Sequence, residues 1–234
     1  TGNTPILFEK SESLGGQFVL AGAISAKKDF KNAVNKMILD VQESGIEVHL
    51  NTVVTKEMLE EIKPDALIVA IGSSPFVLPI EGSERAIVAH DVLSEKVEVP
   101  GENVVIIGGG LVGFETAEFL AARQKKVIIL EMKEKALQDL GPLRQITAQF
   151  AMAQMPITIE TSATVERIED HAVVASGKEY PYDSVIMAVG SKANDTSMYT
   201  DLGIPTYIVG DCKKAGVALD AFKDAYHAVL EINK

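Results

Sequence analysis

The chain has 234 residues, 47% of them hydrophobic and 24% charged, with a formal net charge of −11. This is the composition of one globular domain or two small ones, and it excludes a disordered, collagen-like or coiled-coil chain. The acidic balance, with no basic run longer than two residues, argues against a nucleic-acid partner, and no apolar stretch reaches the roughly 20 residues of a membrane-spanning helix.

Along the chain, Ile6 to Glu9 reads as a short strand that ends in an acid. Phe30, Val34, Met37, Ile38 and Val41 recur at helical spacing, with Gly45 placed to end that helix. Ile46, Val48 and Leu50 alternate as a strand; Thr55 is placed to cap a helix that Pro64 stops. Ala66 to Ile71 is a continuous apolar run, as in a strand covered on both faces. After the Pro100–Gly101 linker come a strand at Val104–Ile107, a glycine-rich turn, a helix to about Ala122 and a strand at Val127–Glu131. A helix from about Leu143 to Ala153 follows, then short strands near 157–160, 165–168 and 172–175, with a turn signal at Gly177. The apolar run Ser184–Ala188, a strand at Thr206–Val209 and a helix from about Val217 to Ile232 complete the pattern. Strands alternating with helices predict an α/β fold with a mostly parallel sheet.

Two stretches repeat. Ile6-Leu7-Phe8-Glu9-Lys10 resembles Ile129-Leu130-Glu131-Met132-Lys133, and Asp65 to Gly72-Ser73 resembles Asp183 to Gly190-Ser191. Glu9 stands 63 residues before Gly72, and Glu131 stands 59 before Gly190. Two units are therefore expected on one plan. The second opens with Gly108-x-Gly110-x-Val112-Gly113, 23 residues before Glu131; the same offset from Glu9 falls before Thr1. The expectation is a first unit lacking its opening strand, glycine loop and helix, in a fragment of a longer protein.

The glycine loop sits between a strand and a helix, the context in which its residues have separate jobs. Gly108 permits the tight turn, Gly110 lets a pyrophosphate approach the backbone, and Gly113 lets the helix pack on the strand. The helix start offers N–H groups and positive dipole to phosphate. Glu131 stands where an acid accepts from a ribose 2′-hydroxyl, which favours NADH over NADPH, while Lys133 and Lys135 just beyond it would favour the 2′-phosphate. Glu9 is its counterpart in the first unit. Asp211 ends the last strand; either it accepts from a sugar-like hydroxyl chain beside a helix start facing phosphate, or it caps the final helix. Glu115 complements the dipole of the nucleotide-binding helix. Cys212 is expected to be buried and inert. A single cysteine excludes a disulfide framework, a CxxC pair and a four-cysteine cluster within this chain, and four scattered histidines suggest no metal site. No residue reads as a catalytic acid or base.

The motifs Phe8-Glu9-Lys10, Leu14-Gly15-Gly16-Gln17, Ala70-Ile71-Gly72-Ser73, Gly108–Gly113 with Glu115-Thr116-Ala117, and Val209-Gly210-Asp211-Cys212 occur in this order. Together they resemble the C-terminal region of the flavin oxidoreductases that include 2,4-dienoyl-CoA reductase, 2-enoate reductase and trimethylamine dehydrogenase, over nearly the whole chain. The resemblance implies two nested Rossmann-like units: a FAD-type unit at 1–99 and 199–234, and an inserted NAD(H)-type unit at 100–198. It implies FAD contacts at Glu9, Lys10, Gly16, Gln17, Val54, Ala70, Gly72, Gly210 and Asp211. It implies NADH contacts at Gly108, Gly110, Val112, Gly113, Glu131 and Gly190. It further implies, outside this chain, a barrel with FMN and an iron–sulfur cluster, where an enoate- or dienoyl-type small molecule would be reduced in the cytoplasm, with an oligomer compatible with this reading. Ile71 departs from the threonine usual in its motif. Two other readings stand beside this one: a pyridine nucleotide flavoprotein reductase of NADH oxidase or ferredoxin reductase type, and a vestigial module that holds only ADP.

Overall fold

The computed structural model describes residues 2–24, 27–138 and 140–233. The chain divides into two compact units: Thr1–Gly22, Asp29–Ser74 and Ser191–Lys234 in one, Ala23–Lys28 and Pro75–Gly190 in the other. The changeovers fall at 22/23, 28/29, 74/75 and 190/191, whereas the sequence alone points to 99/100 and 198/199. Among the described residues no helix is long and apolar enough to cross a membrane.

The second unit is built on a five-stranded parallel sheet. Its strands are β5 (Ile87–Val88), β6 (Asn103–Ile107), β7 (Lys126–Leu130), β8 (Ile157–Glu160) and β12 (Ser184–Met187), in the order β5-β12-β6-β7-β8. The central runs Val-Val-Ile-Ile, Val-Ile-Ile-Leu and Val-Ile-Met are apolar without alternation because both faces are covered. One face meets an antiparallel three-stranded sheet of β9 (Val165–Ile168), β10 (Ala172–Ala175) and β11 (Lys178–Pro181). Val105, Ile107, Leu130, Val185 and Met187 pack there against Ile168, Val173 and Tyr180. Against the other face lies α5 (Leu111–Ala121), buried from Gly113 to Ala121, with α4 (Ala89–Leu93) beside it. Each fully buried Ile or Leu here contributes about 1.5–3 kcal/mol. α6 (Pro142–Gln154) connects β7 to β8 and turns Leu143, Ile146 and Phe150 to solvent. Asp183 fastens the start of β6: its Oδ2 accepts from the backbone N–H of Glu102 (2.9 Å) and Asn103 (2.8 Å) and from Asn103 Nδ2 (3.0 Å).

The first unit holds two separate parallel pairs. β1 (Ile6–Phe8) pairs with β2 (Glu47–His49), and β3 (Leu67–Val69) pairs with β14 (Thr206–Ile208). A third small ribbon joins β4 (Ser73–Pro75) to β13 (Ser191–Ala193). By the internal repeat, β1 and β3 correspond to β7 and β12. Among the described residues no strand joins them as β6 joins β7 and β12. This corrects the expectation for Ala66–Ile71: Ile68 keeps 39% of its surface exposed, so the run is covered on one side only. α2 (Lys28–Glu43) ends before the left-handed Gly45, and α3 (Lys56–Ile62) is capped by Thr55, whose Oγ1 accepts from Met58 N–H. The five-residue α1 (Gly16–Leu20) is too short for periodicity to reveal, as are α4 and the two-residue β5. α7 (Ala218–Ile232) closes the chain.

Candidate functional site

The Gly108–Gly113 loop occupies the expected turn between β6 and α5, at the carboxyl end of the parallel sheet. Gly108 has φ +110°, and a Cβ there would collide with the Ala188 carbonyl; a Cβ on Gly113 would collide with the Gly108 carbonyl oxygen. Strand, turn and helix therefore approach as closely as hydrogen atoms allow. Gly110 is the N-cap of α5, in extended conformation, and no side chain caps the helix. The first-turn N–H groups, Val112 among them, are thus left to a ligand or to water.

Glu131 follows β7 and is 8% exposed. Its Oε2 accepts from Gly109 N–H at 2.7 Å and its Oε1 from Lys133 N–H at 2.9 Å. A carboxylate has about four acceptor positions, so two remain beside the glycine loop. Lys133 and Lys135 are exposed. Gly190, with φ +101° and open space where a Cβ would stand, lies just past β12. The C-terminal ends of three adjacent parallel strands thus bring Gly108, Glu131 and Gly190 to one edge.

In the first unit a hydrogen-bonded chain joins residues far apart in sequence. Gln17 Nε2 donates to the Ser73 carbonyl and to Ser73 Oγ, both at 3.0 Å. Ser73 Oγ donates to Asp211 Oδ2 at 3.0 Å, and Asp211 Oδ1 accepts from Gly216 N–H at 3.1 Å. Gly72 lies next to Gln17, and Asn194 clamps the same turn through the carbonyls of Ile71 (2.8 Å) and Gly72 (3.1 Å). Ser73 and Asn194 are absent from the sequence-derived set; the Gly-Ser ending of both repeats was the available signal for Ser73. Glu9 repeats the local geometry of Glu131: its Oε1 accepts from Ser11 N–H, two residues on, at 2.7 Å.

Other expected residues are placed less tightly. Lys10 and Ala70 are exposed, and Gly16 opens α1 with φ +50°. Val54 packs its side chain against the cluster of Leu59, Val69, Tyr199 and Cys212. Gly210, at φ +65°, lets the chain approach Ala221 of α7. Gly210–Cys212 is a 3-10 turn and α7 begins only at Ala218, so Asp211 neither caps that helix nor stands at its start. Six intervening residues with no helical periodicity of their own separate them. Cys212 is buried, with its thiol donating to the carbonyls of Val69 and Val209 at 3.2 Å. Glu115 lies beyond the first turn of α5, buried, and forms an ion pair with Lys27. Its neighbour is therefore an ammonium from 88 residues away, rather than the helix dipole.

A glycine turn between a parallel strand and an uncapped helix, with an acid ending the next strand, defines a dinucleotide-binding α/β unit. The chain belongs to the pyridine nucleotide-disulphide oxidoreductase family, whose sequence profile matches residues 4–215. An NADH oxidase of Thermoanaerobacter brockii is 32% identical over 244 residues, taking in 99% of this chain and 38% of the relative. A cinnamate reductase of Clostridium sporogenes is 33% identical, with 99% of this chain and 36% of the relative covered. The solved structure of a 2-naphthoyl-CoA reductase superposes with a TM-score of 0.89 at 29% identity, covering 97% of this chain and 36% of that one. Histamine dehydrogenase from Rhizobium sp. 4-9 shares the fold, with a TM-score of 0.82 at 18% identity, over 97% of this chain and 40% of that one. The chain is thus an FAD/NAD-binding region of the flavin oxidoreductase type, and it spans little more than a third of the length of these relatives.

Proposed function

We propose that this chain is the part of an NADH-dependent flavin oxidoreductase that receives reducing equivalents, with NADH held by the second unit and FAD by the first. The observation that carries this reading is the arrangement at Gly108–Gly113. There glycines bring the backbone close, the start of α5 is uncapped, and the Glu131 carboxylate is pinned beside the loop. These residues fit a pyridine dinucleotide. The start of α5 and Gly110 hold the pyrophosphate, Val112 and Gly190 line it, and Glu131 accepts from the adenosine ribose hydroxyls. A 2′-phosphate meets like charge at Glu131, which favours NADH.

In the first unit Glu9 takes the matching ribose, while Asp211, held by Ser73, which Gln17 in turn holds, accepts from the polyol chain of FAD. Lys10, Gly16, Val54, Ala70, Gly72 and Gly210 line the same ligand. Reduced nicotinamide supplies a hydride to flavin when both are bound; this chain's residues bind and orient, and none of them moves a proton. The lengths and names of the relatives support a larger protein. In it, as the family resemblance implies, FMN and an iron–sulfur cluster outside these residues would carry electrons to an enoate- or dienoyl-type substrate, a class that the name of the cinnamate reductase supports.

Calorimetric titration of the purified chain with NADH and NADPH tests the reading. Saturable NADH binding, at least about tenfold tighter than NADPH, is expected from a lost charge-assisted hydrogen bond and added repulsion. No NADH binding at millimolar concentration would overturn it.

A further inference from the structure

We propose that Leu137 and Gln145 are positioning residues for the pyrophosphate: they turn the Gly109–Gly110 peptide so that the Gly110 N–H is presented to phosphate. This rests on the dinucleotide reading of the Gly108–Gly113 loop.

Gly109 is buried, and both peptide groups that flank it are fixed from outside the loop. Its N–H donates to Glu131 Oε2 at 2.7 Å, and its carbonyl accepts from Leu137 N–H at 3.0 Å. In a planar trans peptide the C=O and N–H point in opposite directions. The Gly108–Gly109 peptide displays this directly. Its N–H faces Glu131, while its carbonyl faces the place a Cβ on Gly113 would take. The same rule applied to the next peptide sets the Gly109 carbonyl on Leu137 and the Gly110 N–H on the opposite side, away from the segment after β7. Gly110 is the N-cap of α5, so its N–H stands at the mouth of the helix.

Leu137 makes this contact from the left-handed region, with φ +61°, while its side chain is buried. A γ-branched residue rarely adopts that conformation, and such strain persists where surrounding bonds over-determine it. Those bonds are present. The Leu137 carbonyl accepts from Leu140 N–H (3.2 Å) and from Gln145 Nε2 (3.3 Å), and the same amide nitrogen donates to the Leu140 carbonyl (2.9 Å). Gln145 sits in the first turn of α6, next to its Pro142 start. The link therefore runs from α6 through Gln145 to Leu137, and from Leu137 to the glycine loop.

The test is Gln145→Met, which removes both donations at nearly constant side-chain length from a half-buried position. Binding of NADH, ADP and adenosine is compared with the unaltered chain, and amide exchange is followed at Leu137. The expected result is a loss of about tenfold or more for NADH and ADP, adenosine changed by less than about twofold, and faster exchange at Leu137. A general loosening of the site would weaken adenosine in parallel, and that outcome overturns the proposal. Undiminished NADH and ADP affinity also overturns it. Failure of the unaltered chain to bind NADH instead removes the dinucleotide reading beneath it.

Discussion

At Glu131 each carboxylate oxygen already accepts one backbone N–H, from Gly109 and from Lys133. The spare lone pairs are what a ribose would use. An amide in its place has one acceptor oxygen, and its NH2 group must face one of those two N–H donors. Glu131→Gln therefore does more than remove a charge; it loosens the loop as well. We expect NADH affinity to fall about tenfold and the preference over NADPH to narrow, measured at matched ionic strength because exposed charge is screened. If the NADH to NADPH ratio does not move, Glu131 does not face the 2′ position. Glu115 poses a different residue-scale problem. Its buried carboxylate is paired with Lys27, so Lys27→Met leaves that charge uncompensated. Destabilisation of about 3 kcal/mol is expected in urea unfolding, and most of it should be recovered in the double variant Lys27→Met/Glu115→Leu. A single variant as stable as the parent would show that the pair contributes nothing. The sequence identified Glu115 and its helix but not its partner, because a contact between residues 27 and 115 has no local signature.

At the scale of elements, the join between β6 and α5 leaves no room for a methyl group. Gly113→Ala places a Cβ against the Gly108 carbonyl, so the helix must shift or the turn must open. Overpacking of this kind costs roughly 1–3 kcal/mol, and it should also abolish measurable NADH binding. Unchanged melting and unchanged binding together would refute the close approach. The other end of β6 is fastened electrostatically. Donation to Asp183, from the backbone N–H of Asn103 first and then of Glu102, holds its carboxyl below the ordinary value of 3.8. A carboxyl with a depressed folded pKa stabilises the native state above its unfolded pKa, and that contribution disappears as pH falls through the folded value. Unfolding of Asp183→Asn should therefore start at lower denaturant near neutral pH, and the gap to the parent should close below about pH 3.8. A gap that persists undiminished in acid would show that the charge is not what fastens β6. Elements such as β6, β7, β12, α2, α3 and α7 were legible because apolar runs, helical spacing and caps are local properties. The short helices α1 and α4 and the two-residue β5 carry too little periodicity to show in the sequence, and Asp211 reads as a cap of the final helix only if the six residues up to Val217, with Gly216 among them, are passed over.

Across the whole molecule the two units follow one plan yet bury their sheets to different degrees. In the second, Ile106, Ile129 and Ile186 sit at the centre of five parallel strands with no exposed surface. In the first, the corresponding sheet is present as two pairs, and Ile6 and Ile68 remain 40% and 39% exposed. The repeat in the sequence revealed the shared plan, since each unit repeats its acid and its Gly-Ser turn. It could not reveal how much apolar surface each would bury, which depends on strands brought together from distant segments. Local opening is easiest where few apolar contacts cover the backbone and where strand edges are unpaired. Amide exchange should therefore run in a fixed order: β1, β2, β3 and β14 fast, β6, β7 and β12 slowest, with the slow set defining global unfolding. NADH should deepen protection in the second set, most of all at Gly109 and in the first turn of α5, because a ligand that binds only the folded form stabilises it by RT ln(1 + [L]/Kd). Protection spread evenly over both sets without ligand would contradict the difference in burial. Deepening confined to β1–β3 on adding NADH would place the nucleotide in the wrong unit.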